Sequence, residues 1–216
     1  FSDGGDFLSL SDALARARTM VAEGADWIDV GGESTRPGAT PVPLQQEMDR
    51  VLPVVESIAA ELPVSISIDT GKPALMTAAV SAGADLINDV NALRAPGAIA
   101  AAAASGARVC LMHMLGDPGT MQQAPHYEDV VAEVRAFLAA RVQACEQAGI
   151  SRERLWLDPG FGFGKTVEHN LLLLRGIGDI AALGLPVLAG LSRKSLIDKL
   201  LALPVDQRLH PSIALA

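Results

Sequence analysis

Apolar segments of two kinds alternate along the chain. Runs of about five apolar residues follow longer segments whose apolar positions recur at helical spacing, and glycine stands at most junctions between them. Gly24, Gly83, Gly106 and Gly184 mark four of these junctions, because glycine readily adopts the left-handed conformation that ends a helix. The pattern predicts strands over 27–32, 64–69, 86–90, 109–114, 155–158 and 187–191, and helices over 11–23, 44–61, 73–82, 98–105, 127–148, 169–175 and 195–201.

This strict alternation predicts an α/β fold with parallel strands joined by crossover helices. Two architectures meet that description, a (β/α)8 TIM barrel and an open doubly wound sheet. Polar residues follow nearly every predicted strand, and a barrel brings all such strand ends to one mouth, so the pattern favours the barrel. In the second strand, Ser65, Ser67 and Asp69 alternate with apolar residues, which indicates one face toward a polar lumen and one toward helices.

Composition sets the class of protein. The chain has 216 residues, of which 50% are hydrophobic and 19% charged, and this predicts one globular domain over 1–216. The longest apolar stretch, 180–191, is interrupted by glycine and proline and is shorter than the ~20 residues of a membrane helix, so we expect no membrane partner. A net charge of -8 with scattered cations argues against nucleic acid. Cys110 and Cys145 lack metal-ligand spacing and are expected to be reduced thiols in a cytoplasmic protein.

The glycine-rich stretch 160–166 invites comparison with phosphate-binding loops. It is not a Walker A loop, because Pro159 stands where that motif needs glycine, and its third glycine comes too early for G-x-G-x-x-G. We expect the glycines to let backbone approach a flat ligand while Phe163 offers an aromatic face. A tight loop without a ligand is the alternative.

Three polar side chains end predicted strands. Asp69, Asn88 and Asp158 together can read the edge of a heterocycle, because carboxylates accept hydrogen bonds and an amide both donates and accepts. Each one singly is equally well explained as a helix cap or a loop anchor. We assign no metal to them, since a metal site prefers histidine or tighter carboxylate clusters.

Two further segments follow strands. Ser192, Arg193 and Lys194 open a helix, where cations can meet an anion or a ring carbonyl or can simply be solvated. Arg36 and Pro37 lie in a turn-rich loop that is either a lid or a connector.

Several other conspicuous residues are expected to be structural. His113 is interpreted as a hydrogen-bonded histidine near the core rather than a catalytic group, and Tyr127, Trp27 and Trp156 as packing residues.

In register along the whole chain, these motifs resemble the dihydropteroate synthase family of folate biosynthesis. The residues that carry the resemblance are Phe1-Ser-Asp-Gly-Gly5, Asp29-Val-Gly-Gly-Glu-Ser-Thr-Arg-Pro-Gly38, Ser67-Ile-Asp-Thr70, Ile87-Asn-Asp89, Leu111-Met-His-Met114, Leu157-Asp-Pro-Gly-Phe-Gly-Phe-Gly-Lys165 and Gly190-Leu-Ser-Arg-Lys-Ser195.

The resemblance implies a TIM barrel that joins 6-hydroxymethyl-7,8-dihydropterin diphosphate to 4-aminobenzoate with release of diphosphate. It implies a sulfonamide target, a homodimer and Mg²⁺ as cofactor. It also implies roles for individual residues: pterin binding for Asp69, Asn88, Met112, Asp158 and Lys194, an aminobenzoate side or mobile loop for Thr35, Arg36, Pro37, Phe163 and Ser192, and catalysis through Asp69, Asp158 and Lys194.

The ends of the chain depart from this family. The first residue is Phe1 and the last six stop inside an apolar helix-like segment, so we expect pieces to be missing at both ends. Six of eight strands are predicted, and the first strand, with the family's Asn ligand for Mg²⁺, and the eighth unit would lie outside the chain. We therefore expect activity of the intact protein. Two alternatives are a methyltetrahydrofolate-dependent corrinoid methyltransferase and a pterin-binding module without catalysis.

Overall fold

The fold is described by a computed structural model for residues 9–36, 39–116 and 120–216. Strands and helices alternate as the hydrophobic pattern predicts. The strands are β1 (Trp27–Gly31), β2 (Ser65–Asp69), β3 (Leu86–Asp89), β4 (Arg108–Met112) and β5 (Leu155–Asp158). The helices are α1 (Leu10–Ala22), α2 (Leu44–Glu61), α3 (Pro73–Ser81), α4 (Ala98–Ser105), α5 (Val130–Gln147), α6 (Val167–Arg175), α7 (Ile177–Ala181), α8 (Ser195–Leu201) and α9 (Leu209–Leu215).

The five strands form one parallel sheet in chain order, β1-β2-β3-β4-β5. Each pair of neighbouring strands is joined by a helix, which is the connection that parallel strands require. None of the described helices is both long enough and apolar enough to cross a membrane.

The prediction of a sixth strand over 187–191 is wrong. Val187 forms a single parallel bridge with Leu157, and the segment exchanges two hydrogen bonds with that residue, Leu157 N–H to Pro186 O at 2.9 Å and Leu188 N–H to Leu157 O at 2.8 Å. Proline lacks an amide hydrogen and glycine weakens a strand, so Pro186 and Gly190 limit the pairing on either side of the bridge. The segment lies beside β5 as an extended chain rather than a strand.

Caps explain where two helices begin. Asp129 accepts hydrogen bonds from the N–H groups of Val131 and Ala132, both at 3.0 Å, and α5 begins at Val130 rather than at the predicted residue 127. Thr166 and His169 form a reciprocal capping box, which starts α6 two residues before the predicted position. Side chains that cap free backbone N–H groups in this way stabilise the first turn of a helix.

The sheet has one apolar and one polar face. The face that packs against the helices carries buried residues from every strand: Ile28, Ile66, Ile68, Ile87, Val109, Leu111, Leu155 and Leu157. On the opposite face the register aligns Gly31, Asp69, Asn88, Cys110 and Trp156 in one row across all five strands. Side chains paired in register point to the same face, so the polar residues of different strands converge there.

The sheet is strongly curved. In a flat sheet the outer strands β1 and β5 would lie about 19 Å apart, which is four spacings of ~4.8 Å. Trp27 on β1 and Trp156 on β5 nevertheless meet edge to face with ring centroids 5.3 Å apart. The sheet therefore bends around its polar face as the wall of a barrel does.

Candidate active site

A cavity of about 210 Å³ opens on the concave polar face of the sheet. Every strand contributes at least one side chain to it. The strand residues that line it are Trp27, Asp29, Ser67, Leu86, Asn88, Met112, Trp156 and Asp158, and the segments after the strands add Val90, Phe163, Leu188, Gly190 and Lys194. The cavity thus combines apolar walls with convergent polar groups, which is typical of a small-molecule site.

Asp29, Asn88 and Asp69 lie side by side. The Asn88 side chain is 7% exposed and donates from Nδ2 to Asp29 Oδ1 at 3.5 Å, while Asp69 pairs in register with Asn88. Burial and the negative charges of Asp29, Asp89 and Glu47 raise the pKa of Asp69 well above its usual value. Burial also raises the pKa of Asp29, although this residue is exposed to the open cavity and solvent there weakens the effect. A neutral carboxyl among these groups can donate a hydrogen bond, and an ionised one can accept.

Asp158 lies at the end of β5 and is 7% exposed. Its Oδ1 accepts the Gly160 N–H at 2.7 Å. Burial raises the pKa of Asp158, while the Gly160 N–H and the charges of Lys194 and Lys165 act in the opposite direction. A backbone N–H and two lysine charges thus favour the ionised form of Asp158.

Lys194 and Phe163 meet across the cavity. The Lys194 Nζ lies 4.7 Å from the centroid of the Phe163 ring, a cation–π distance. Burial lowers the pKa of Lys194, and the carboxylates of Asp158 and Asp69 favour its charged form. The pair presents an aromatic face and a cation to the same space.

A buried pair of basic residues lies behind the glycine-rich loop. Lys165 Nζ lies 3.0 Å from His113 Nδ1 and donates to Gly160 O at 2.8 Å and Phe163 O at 3.1 Å. His113 is buried and hydrogen-bonded, which confirms its predicted place near the core.

The loop after β1 is tied at its base by Lys72. The Lys72 Nζ donates to Glu33 Oε2 at 2.5 Å and Val42 O at 2.7 Å and also pairs with Glu47. Thr35 and Arg36 lie between Glu33 and Val42, outside the residues that line the cavity. Pro37 lies outside the described residues.

The structure brings together six of the predicted site residues. Asn88, Met112, Asp158, Phe163 and Lys194 line the cavity, and Asp69 lies in register beside Asn88. Ser192 is exposed and, like Thr35 and Arg36, does not line the cavity.

Asp29, Trp27 and Trp156 are among the cavity residues that sequence reasoning missed. The two tryptophans were predicted to be packing residues; they pack against each other, and both also line the cavity. The available signal for Asp29 was its position as a polar residue inside an otherwise apolar strand.

Metal ligands are not grouped in the described parts of the chain. Within residues 9–36, 39–116 and 120–216, no three His, Cys, Asp or Glu side chains are placed to hold a metal ion.

Comparison with known proteins identifies the family of the chain. A family model for pterin-binding enzymes matches residues 1–216. The dihydropteroate synthase of Escherichia coli strain K12 is 51% identical over 216 residues, which is 100% of this chain and 77% of that protein. The chain therefore belongs to the pterin-binding enzymes and, among them, to the dihydropteroate synthase family.

Solved structures of that family share the fold. The Yersinia pestis dihydropteroate synthase with a sulfonamide drug superposes with a TM-score of 0.97 at 48% identity, covering 100% of this chain and 78% of that one. The Xanthomonas albilineans dihydropteroate synthase in complex with 7,8-dihydropteroate superposes with a TM-score of 0.87 at 47% identity, covering 100% of this chain and 77% of that one. The fold of the chain is accordingly of the TIM-barrel type, as the alternation of strands and helices predicts.

Proposed function

We propose that the cavity on the polar face of the sheet is the pterin site of a dihydropteroate synthase. The enzyme condenses 6-hydroxymethyl-7,8-dihydropterin diphosphate with 4-aminobenzoate to give 7,8-dihydropteroate and diphosphate. One observation carries the assignment to this cavity: Asn88, Asp158 and Lys194 line it together, with Asp69 in register beside Asn88. The relatives named above are dihydropteroate synthases, and nothing in the structure favours the corrinoid methyltransferase that the motifs left open.

The polar groups of the cavity match the edge of a pterin ring. The ring presents N–H and amino donors beside nitrogen and carbonyl acceptors. Asp158, with its ionised form supported by two lysines, accepts from the donors, and Lys194 donates to an acceptor. Asp69, whose pKa is raised, donates in its protonated form.

The reaction needs no nucleophile from the protein. The amine nitrogen of aminobenzoate forms a bond to the pterin methylene, and the bond from that carbon to the diphosphate oxygen breaks with its electron pair leaving on the diphosphate. The nitrogen then loses a proton. Positive charge develops on the methylene as the diphosphate departs, and the Asp158 carboxylate stabilises it across the low-dielectric cavity. Closure by the loop that carries Thr35 and Arg36 would exclude water and limit hydrolysis.

Mg²⁺ is proposed as cofactor on the family resemblance. A bound Mg²⁺ neutralises charge on a departing diphosphate. Among the described residues no three His, Cys, Asp or Glu side chains are grouped to hold it, and the steps above rest on side chains alone. Product formation with added Mg²⁺, compared with formation in excess chelator, tests this requirement.

A homodimer in a reducing, cytoplasmic compartment is the proposed state of the protein. Cys110 and Cys145 are both buried and free, which suits a reducing compartment. Exposed Leu201 on α8 and Ile213 on α9 supply apolar surface of the kind that subunits bury. Light scattering across a concentration series measures the assembly.

Diphosphate release with both substrates present tests the activity, and calorimetric titration with 6-hydroxymethylpterin tests the site. Asp158→Asn should weaken pterin binding by ~1–3 kcal/mol, the usual cost of losing a hydrogen bond to a charged partner. The exposed residue Asp179 on α7 provides the matched control, and Asp179→Asn should bind as the wild type does. Unchanged affinity of Asp158→Asn would remove this residue from the site. Pterin binding without diphosphate release would instead indicate a binding module.

A further inference from the structure

Lys165 is a buried lysine that the proposed reaction does not use. Its side chain is 2% exposed and does not line the cavity. The Nζ lies 2.8 Å from Gly160 O, 3.0 Å from His113 Nδ1 and 3.1 Å from Phe163 O, with His113 O further away at 3.4 Å. An ammonium group has three N–H donors, and the three nearest acceptors take all of them. The ammonium thus joins the two ends of the 160–163 turn to the end of β4.

One of these bonds leads to Asp158. Lys165 holds the Gly160 carbonyl, and the N–H of the same residue donates to Asp158 Oδ1 at 2.7 Å. The turn also packs tightly on β4, because a Cβ at Gly160 would lie 1.9 Å from His113 O. Rotation of Gly160 would therefore move the donor that fixes the Asp158 carboxylate.

A second bond leads to Phe163. Lys165 holds the Phe163 carbonyl, and the ring of that residue faces Lys194 Nζ in the cavity. The position of the aromatic face and its cation thus depends on the same buried ammonium.

The third bond fixes His113. The Lys165 ammonium donates to Nδ1, so the imidazole is neutral with its proton on Nε2. Burial and the charge of Lys165 lower the pKa of His113 to about 3. The ring also packs edge to face on Phe137, with centroids 5.0 Å apart. The neutral His113 ring, fixed by these contacts, is a hydrogen-bond acceptor that holds the Lys165 ammonium in place.

We propose that Lys165 is a positioning residue of the pterin site, which fixes the turn 160–163 so that Asp158 and Phe163 face the ligand. The inference rests on the proposed function of the cavity. Neighbouring bonds hold the rest of the loop: Tyr127 O–H donates to Gly164 O at 2.9 Å, and Asn170 Oδ1 accepts from Gly162 N–H at 2.8 Å. Loss of Lys165 therefore loosens the turn beside Asp158 without releasing the whole loop.

The positioning role should depend on pH, because it depends on the charge of Lys165. Burial lowers the pKa of Lys165 to about 7, with Lys194 acting in the same direction and Asp158 opposing it. Above that pH the group is a neutral amine, and its bonds to the Gly160 and Phe163 carbonyls lose the strength that the positive charge gives them. The wild-type protein should therefore hold the turn firmly at pH 6 and less firmly at pH 9.

The experiment is calorimetric titration of 6-hydroxymethylpterin into wild type and Lys165→Met at pH 6 and pH 9. Lys165→Met should bind about tenfold more weakly than wild type at pH 6, and the ratio of the two Kd values should fall to about two at pH 9. Asp158 and Lys194 are present in both proteins, and His113, whose pKa is about 3 in wild type, is neutral there at both pH values. The ratio of the two Kd values at each pH therefore isolates the replacement of Lys165. The exposed Lys199→Met is the control, with a ratio of about one at both pH values.

Each outcome decides the inference. A ratio near one at pH 6, or a ratio equal at the two pH values, overturns the positioning role even if wild type binds pterin well. Wild type that binds no pterin at either pH overturns the proposed function and this inference with it. Should Lys165→Met fail to fold, Lys165→Arg replaces it: arginine stays charged, so the loss of affinity that wild type shows between pH 6 and pH 9 should shrink in that variant. A loss as large as in wild type would overturn the role.

Discussion

Lys72 joins the two ends of the loop after β1, and its removal should be costly. Its Nζ donates to Glu33 and to the Val42 carbonyl and pairs with Glu47, while Val42 N–H donates back to Glu33 Oε2 at 3.0 Å. Thr70 Oγ1 donates to the other carboxylate oxygen of Glu47 at 3.1 Å. We expect Lys72→Met, which keeps most of the apolar stem, to destabilise the fold and to free the loop that carries Thr35.

The size of the effect follows from the exposure of the partners. The Glu47 side chain is 1% exposed, and loss of one partner of a buried ion pair costs about 3–5 kcal/mol. The Glu33 and Lys72 side chains are 33% and 30% exposed, and solvent reduces the value of such a pair to about 1 kcal/mol or less. Solvent access at Lys72 also weakens the Glu47 pair, so the expected loss in the free energy of unfolding is about 3 kcal/mol.

Urea unfolding followed by far-ultraviolet circular dichroism measures this loss. The double variant Lys72→Met with Glu47→Gln should regain about half of it, because the unpaired buried charge is gone. Replacement of the exposed Lys199 on α8 by Met should leave the free energy of unfolding within about 0.5 kcal/mol of wild type. A loss below about 1 kcal/mol for Lys72→Met, or no recovery in the double variant, would refute the assignment of the stabilisation to the Glu47 pair.

Two further predictions concern the loop and its histidine. Gly160→Ala should cost about 3 kcal/mol or more in calorimetric unfolding, because φ is +69° and the new Cβ would lie 1.9 Å from His113 O. Gly162→Ala, at φ +84° with its nearest neighbour 3.6 Å away, should cost only about 1 kcal/mol, and equal losses would contradict the steric argument. Burial and the charges of Lys165 and Arg94 lower the pKa of His113 to about 3. Between pH 6.5 and pH 3 the unfolded chain therefore binds more protons than the folded one, and the free energy of unfolding decreases as the pH is lowered. The loss should reach about 2 kcal/mol at pH 5 and be absent from His113→Asn, and a parallel acid loss in both proteins would assign it to other groups.

Hydrophobic periodicity was sufficient to predict most of the fold. The bounds of α2, α4 and β5 match the structure, because their apolar positions coincide with the buried ones. α5 begins three residues later than predicted, after its Asp129 cap, and α6 begins two residues earlier, because Thr166 caps the helix ahead of the apolar pattern. The segment over 187–191 was wrong as a strand, because apolar character does not reveal how many backbone hydrogen bonds a segment makes.

The site was harder to predict from the sequence than the fold was. Asp69, Asn88 and Asp158 were predicted because each ends a strand, and strand ends converge in a parallel barrel. Asp29 lies in the middle of β1, and a polar residue inside an apolar strand was the only local signal for it. Its place beside Asn88 depends on the register of β1, β2 and β3, which the local pattern does not report. Lys165 was missed for a similar reason, since its partner His113 lies 52 positions away along the chain.

The edge-to-face pair of Trp27 and Trp156 is an intrinsic fluorescence and circular-dichroism probe of the cavity. These are the two tryptophans of the chain, and both line the cavity. Tryptophan emission therefore originates at this one place, and a planar heteroaromatic ring entering the cavity would quench it at contact distance. The same pair bridges β1 and β5, so its coupled near-ultraviolet dichroism would disappear when the curved sheet opens, and ligand entry and loss of sheet closure can be followed separately without an added dye.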